Sequence, residues 1–290
     1  MRIIHNLDEM IETARGWLSG GSVGFIPTMG YLHAGHVSLI QAARQECEIT
    51  VVSIFVNPLQ FGPDENPGDY PRNFARDVQL LEQEQVDVLF APRPDEMYPP
   101  DFATYVHCTA PVAQRLEGAV RPEHVQGYAT IITKLLQIIR PDIAYFGQKN
   151  AQHVALVRQV VLDLNIDVQL RVLPALRESD GLALSSRNHL LTAKERRAAP
   201  LLYKALLAGK ALLDQGERQL SKIEQAMSAV LAASPLLRLD YATACDPDTF
   251  THPGNILPNP LTDLLLVIAV RVGRTFLVDN LLLRDGVWMM

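Results

Sequence analysis

Five short runs of apolar, β-prone residues recur along the chain, at Val23–Ile26, Thr50–Val56, Val86–Ala91, Ile143–Phe146 and Val168–Leu173. Runs that are apolar throughout rather than alternating, as Val23–Ile26 is, have the pattern of a strand covered on both faces. Between them lie stretches with helical spacing, notably Val37–Cys47, Phe74–Gln85, Thr130–Ile139 and Ala151–Leu164. Buried strands that alternate with helices point to the α/β class, as a Rossmann-like, doubly wound parallel sheet. Ligands of such sheets bind beyond the carboxyl ends of the strands. The polar, Gly- and Pro-bearing segments should then follow strands, and they do. Pro27–Gly30 follows the first run, Asn57–Phe61 the second and Gly147–His153 the fourth, while Arg177–Asn188 comes soon after the fifth. These four loops are expected at one edge of one sheet.

After about residue 175 the character changes. Thr192–Glu195 and Ser221–Glu224 both read as capping boxes that open amphipathic helices. Short strands follow near Leu239–Ala244, Leu264–Val270 and Thr275–Asp279, the last two joined by a turn around Gly273. Helices plus a small antiparallel sheet make a second, smaller α+β domain. The expected division is residues 1–175 for the Rossmann-like domain and 176–290 for the smaller one. A length of 290 residues with 48% hydrophobic content supports two cores. The Pro-rich Asp248–Pro260 stretch reads as a loop inside the second domain.

Charge and cysteines narrow the class. A net charge of −6 argues against non-specific nucleic-acid binding, which needs a basic face. Cys47, Cys108 and Cys245 are odd in number and widely spaced, which excludes a disulfide framework and a cysteine zinc site. Each reads as a small core residue. Asp8, Glu9 and Glu12 in the first helical pattern are wrong for a signal peptide. The strongly apolar run Leu264–Val270 is too short to cross a bilayer. These features fit a soluble cytoplasmic enzyme.

The chemistry is concentrated in the loops. Pro27-Thr-Met-Gly-Tyr-Leu-His-Ala-Gly-His36 runs from a strand through a Gly-containing turn into a helix, whose first N–H groups and dipole favour an anion. His33 and His36 share a face of that helix, and Gly35 allows close approach to the backbone. The plain alternative is that one His caps the helix while the other lies on the surface. Lys149 stands at a helix start, where a cation opposes the dipole unless an anion is near. Ser185, Ser186 and Arg187 could wrap a phosphate chain, or form an ordinary turn. Gln60 offers an amide at the sheet edge, which suits a hydroxy acid. Arg121, within Arg121–His124, reads as a carboxylate or phosphate clamp or as a surface loop residue. Asp77 reads as a magnesium ligand or an exposed helix acid. His33, His36, His124 and His153 fall in these loops, but no HExxH or Cys/His pairing supports zinc.

Together the segments resemble the pantothenate synthetase (pantoate–β-alanine ligase) family, among the nucleotidyltransferases that bind ATP with an HxGH motif. The resemblance rests on PTMGYLHAGH (27–36), VVSIFVNPLQF (51–61), DYPR (69–72), RPEH (121–124), PDIAYFGQKNAQ (141–152), RESDGLALSSRN (177–188) and, more loosely, VRVGRTFLVDN (270–280). It implies condensation of pantoate with β-alanine through a pantoyl adenylate, giving pantothenate, AMP and pyrophosphate, with ATP and Mg²⁺ required. His33, His36, Lys149 and Arg187 would be catalytic. Met29, His33, His36, Gly147, Lys149, Asn150, Ser185, Ser186 and Arg187 would bind ATP. Thr28, Gln60, Arg121 and His153 would meet pantoate or β-alanine. The family also implies a homodimer, an ATP- and pantoate-binding first domain and a lid-like second one.

Three positions depart from the family pattern. Glu123 stands for a Gly in RPGH and could pair with Arg121. Asn150 stands for an Asp after the motif lysine. His153 stands for the second Gln of a KDAQQ-like segment, a pantoate contact in the family. An imidazole can both donate and accept a hydrogen bond, so the contact can survive. In the implied reaction Lys149, Arg187, both histidines, helix N–H groups and Mg²⁺ neutralise the charge that builds on the phosphates. Other readings of the same motifs are an HxGH nucleotidyltransferase or ligase for a different small hydroxy acid, and a catalytically silent nucleotide-binding homologue.

Overall fold

The computed structural model describes residues 1–17, 20–62 and 65–289. In chain order the elements are β1 (Arg2–Ile4), α1 (Leu7–Trp17), β2 (Val23–Thr28), α2 (Ala34–Glu46), β3 (Ile49–Ile54), α3 (Phe74–Gln83), β4 (Val88–Phe90), α4 (Pro94–Met97), α5 (Pro111–Gln114), α6 (Glu117–Val120), α7 (Pro122–Ile139), β5 (Ile143–Gly147), α8 (Ala151–Asp163), β6 (Gln169–Leu173), α9 (Ala193–Ala198), α10 (Leu201–Asp214), α11 (Leu220–Leu231), β7 (Leu237–Cys245), β8 (Leu264–Val272), β9 (Thr275–Arg284) and β10 (Val287–Met289). Contacts divide the chain into two compact units. One comprises Met1–Thr109, Arg121–Gly147 and Leu156–Leu173; the other comprises Ala110–Val120, Gln148–Ala155 and Pro174–Met290. No composition signal marks the two early inserts of the second unit.

In the first unit six strands lie in the order β1-β4-β3-β2-β5-β6, all paired in parallel. The expected doubly wound parallel sheet is therefore present, with one further strand. That strand, β1, is only three residues long with two of them exposed, too short to give a burial pattern in the sequence. Strands β2, β3 and β4 are buried almost throughout, as apolar runs covered on both faces should be. Ile26, Val52 and Leu89 join Ile40, Leu81 and Tyr145 in one core. Chain order reverses at the β2/β5 neighbours, which puts the ends of these two strands at a topological switch point.

In the second unit four antiparallel strands run in the order β10-β9-β8-β7. Alternate residues of β8, Leu264, Leu266, Ile268 and Val270, pack with Leu202, Leu206, Ile223 and Met227 of α10 and α11. The β8/β9 hairpin turns at Gly273, whose φ of 59° suits a residue without Cβ. Thr192 caps α9 in the expected capping box with Glu195. Ser221 does not cap α11: that helix starts one residue earlier, Gln219 holds the cap position, and no side chain bonds there. Of the three cysteines only Cys245 is buried, which corrects the expectation of three core residues. Among the described residues no helix is long and apolar enough to cross a membrane.

Candidate active site

Strand β2 runs into a turn in which Gly30 and Tyr31 both take left-handed backbone, with φ of 82° and 53°. A left-handed Tyr costs about 1 kcal/mol or more, so a neighbour must hold it. Asp77 of α3 does so: its carboxylate accepts the Tyr31 N–H at 2.7 Å and the Leu32 N–H at 2.9 Å. Arg76 donates to the Leu32 carbonyl at 3.0 Å and stacks its guanidinium 5.6 Å from the Tyr31 ring centre. Asp77 is 1% exposed. It is therefore not an exposed helix acid, and each of its oxygens accepts one backbone amide. Thr28 likewise serves the turn. Its hydroxyl donates to the Ser53 carbonyl at 2.7 Å and accepts the Gly30 N–H at 3.1 Å.

The turn delivers two imidazoles. His33 is the N-cap of α2 and His36 its third residue, and each caps the other's backbone. The Gly35 N–H donates to His33 Nδ1 at 3.1 Å, and the His33 N–H donates to His36 Nδ1 at 3.3 Å. Since Nδ1 accepts in both rings, the ring proton belongs on Nε2 in each. The ring centres are 4.0 Å apart, so a second positive charge there is disfavoured. Burial, followed by the neighbouring His33, lowers His36 to about 3. His36 is therefore a neutral donor at physiological pH. Capping and ligand binding are compatible here, because they use opposite edges of the ring.

A second cluster of the first unit surrounds Gln60. Asn57 caps the short turn Pro58–Gln60, accepting from the Leu59 N–H at 3.3 Å and from the Tyr98 hydroxyl at 2.8 Å. Its amide donates to Gln60 Oε1 and to the Gly127 carbonyl, both at 3.0 Å. A Cβ at Gly127 would run into the Leu59 carbonyl oxygen, so only glycine lets α7 come this close. With Oε1 occupied, Gln60 is fixed with Nε2 as its donor end. Arg121 is buried and paired with Glu65 at 2.6 Å, whereas Glu123 is exposed in the first turn of α7. The carboxylate that the sequence placed on Arg121 is thus supplied by Glu65.

In the second unit Lys149 sits in a tight turn, Gln148–Asn150, ahead of α8. Burial and then the Arg187 guanidinium lower its ammonium to about 8, while Asp279 and Glu117 pull the other way. A buried lysine shifted by a second cation and by two carboxylates marks this place as a functional candidate. Ser185 caps the turn Ser186–Leu190 by accepting the Arg187 N–H at 3.2 Å, and Ser186 is buried. Gln152 donates to the carbonyls of Val112 and Arg115 at 2.6 and 2.8 Å and accepts the Glu117 N–H at 3.2 Å. His153 lies 3.7 Å from the Glu117 carboxylate, so the imidazole that replaces an amide has an acid beside it.

The structure thus groups Thr28, Gly30, His33, His36 and Asp77; separately Gln60 and Arg121; and, in the second unit, Lys149 with Arg187. Gly147 ends β5 immediately before the lysine turn, Met29 is half-buried and Asn150 is exposed. Sequence reasoning gave no role to Glu117, Arg177, Asp279 or Asn280. Arg177 forks onto Asp279 at 2.6 and 3.0 Å. The only sequence signal for this pair was that both residues fall inside segments of the family resemblance.

A family model described as pantoate-beta-alanine ligase matches residues 2–282. A pantothenate synthetase of Roseiflexus castenholzii is 47% identical, covering 98% of this chain and 99% of that protein. The solved pantothenate synthetase of Thermus thermophilus is 42% identical with a TM-score of 0.91, covering 98% of this chain and all of that one. A pantoate-beta-alanine ligase of Francisella tularensis, solved in complex with Beta-gamma ATP and Beta-alanine, is 33% identical with a TM-score of 0.77 and 97% coverage of both chains.

Proposed function

This chain belongs to the pantoate–β-alanine ligase family, and from that premise we propose how its own residues carry the reaction. It joins pantoate to β-alanine using ATP. The pantoate carboxylate, already ionised at neutral pH, attacks the α-phosphorus. A carboxylate O–P bond forms, the bond to the β-phosphate breaks, and pyrophosphate leaves with a pantoyl adenylate behind it. The amine of β-alanine then attacks the acyl carbon, the amide C–N bond forms, AMP leaves, and the amine loses its proton.

The reciprocal histidine cap is the observation that carries this reading. It fixes two imidazoles with Nε2–H as the donor, and neutral donors at a helix N-terminus suit phosphate oxygens without competing for protons. In this proposal His33 and His36 donate to the phosphates, with Met29 and Gly147 against the nucleotide. Lys149, Arg187, Ser185 and Ser186 take the remaining phosphate charge, and Asn150 lies toward the ribose. Mg²⁺ enters as part of the nucleotide, and Asp77 holds the histidine turn rather than the metal. Gln60 donates from Nε2 to pantoate, supported by the bond that occupies its Oε1, and His153 completes that contact. Arg121, already engaged with Glu65, braces the Gln60 turn. The proton of the amine leaves as AMP departs, to His36 or to a phosphate oxygen. The Ser185–Arg187 segment shields the adenylate from water. The reading extends to a homodimer in the cytoplasm, supported by the resemblance and by three free cysteines.

AMP release with β-alanine and a panel of small hydroxy acids tests the reading. Only pantoate should support full turnover, and His36→Ala or Lys149→Ala should each lower it by roughly 100-fold or more while leaving the circular dichroism unchanged. Full turnover with a different acid, or near-normal rates in both variants, would overturn it.

A further inference from the structure

One buried amide makes a set of bonds that the reaction as described does not use. Asn280 of β9 is 5% exposed. Its Nδ2 donates to the carbonyls of Gln148 and Lys149, both at 3.0 Å, and its Oδ1 accepts from Gln148 Nε2 at 3.2 Å. All three bonds go to a turn more than 130 positions earlier in the chain. A buried amide normally finds partners wherever they are nearest. This one closes on the two carbonyls that flank the Cα of the site lysine.

The strand that carries it is itself held. Arg177 bonds both oxygens of Asp279 and reaches the Asn280 carbonyl at 3.2 Å, and it stacks 3.9 Å from the Tyr203 ring centre. Asn280 pairs with Val267 across the β8/β9 ladder, and both line a small cavity together with Lys149, Gln152, Tyr241 and Phe250. The lysine turn is therefore bonded to the antiparallel sheet through the Asn280 side chain. A lysine has four rotatable bonds, and without a fixed Cα its ammonium would sample the solvent.

We infer that Asn280 is a positioning residue for Lys149, a clamp that sets where the ammonium meets the phosphate chain. This rests on the reading of Lys149 as a phosphate contact. The two donated bonds are the essential ones. Aspartate at this position has the same shape but no donor, and would set a negative oxygen against two carbonyls. Leucine would leave both carbonyls without their partner.

The test is a double-mutant cycle on the full chain, reading pantoate-dependent AMP release and binding of a non-hydrolysable ATP analogue. Asn280→Ala and Asn280→Asp should each lower kcat/KM for ATP about 10- to 100-fold, the range expected when a charged group is displaced by an ångström or so. In a Lys149→Ala background Asn280→Ala should add less than about 3-fold, because the clamp then has nothing to position. Burial and Arg187 hold Lys149 near 8, so the wild-type kcat/KM profile should fall above that pH. In Asn280→Ala the fall should move up by about one pH unit or more as the lysine gains solvent. Should these variants fail to fold, Gln148→Ala, which removes only the third bond, should still cost roughly 3-fold.

Wild-type kcat/KM in Asn280→Asp, or the same loss with and without Lys149, would overturn the clamp. If Lys149→Ala itself keeps wild-type ATP binding and turnover, the reading of the lysine fails instead. The two failures are distinct.

Discussion

The histidine turn and the lysine turn, the two places proposed to meet the phosphates, are built in opposite ways. His33 and His36 are three residues apart and cap each other, and the acid that stabilises their approach, Asp77, sits on the next major helix. The lysine turn is held differently. Its carbonyls are gripped by Asn280, whose strand is locked by Arg177 onto Asp279. The first turn is capped within a short stretch of chain; the second is bonded by a strand more than 130 positions later. Substitutions should therefore act locally in the first case and at long range in the second.

The largest effect expected from this contrast is at Asp279. Asp279→Ala leaves the Arg177 guanidinium, 12% exposed on its side chain, without its carboxylate, which should cost about 3–5 kcal/mol in urea unfolding. A loss below about 1 kcal/mol would mean that the sheet does not anchor the lysine turn through this pair. Asp77→Ala comes next. It strands the Tyr31 and Leu32 amides and should cost roughly 2–3 kcal/mol, with a fall in kcat and little change in KM for β-alanine. If stability falls but kcat holds, the histidines keep their place without Asp77.

The smallest effect is a pH dependence. His36 is lowered from 6.5 to about 3 in the folded chain, so between these values the unfolded state binds the extra proton. Its influence is absent above pH 6.5, and stability declines as pH falls from there toward 3. His36→Asn should flatten that decline, measured as urea midpoints at about pH 7 and about pH 4.5. An unchanged slope would show that the buried imidazole is not the group responsible.

The same contrast explains what could be read in advance. The parallel sheet was legible because Val23–Ile26 and Thr50–Val56 carry burial on both faces in their composition. Thr192–Glu195 was legible because a capping box is complete within four residues. Ser221–Glu224 has the same letters, but α11 begins at Leu220 and leaves Ser221 inside the helix. Asp77 was misread because its partners are backbone amides, which every residue has, so side-chain spacing could not reveal them. Arg121 was given the wrong carboxylate because Glu123 is near in sequence while Glu65 is near in space. Asn280 carried no signal at all beyond a matched segment, since nothing in a strand sequence says which distant carbonyls its amide will meet.

The long reach from Asn280 to the lysine turn also sets an order of events at the ribosome. Domains set as the chain emerges, from the N-terminus onward, and Ser53, Arg76 and Asp77, which bond the histidine turn, have all been made by the end of α3. The turn that bears Lys149 must wait until β9 has been translated and threaded against β8. A nascent chain therefore has Asp77 against its histidine turn well before it has the amide that bonds the lysine turn.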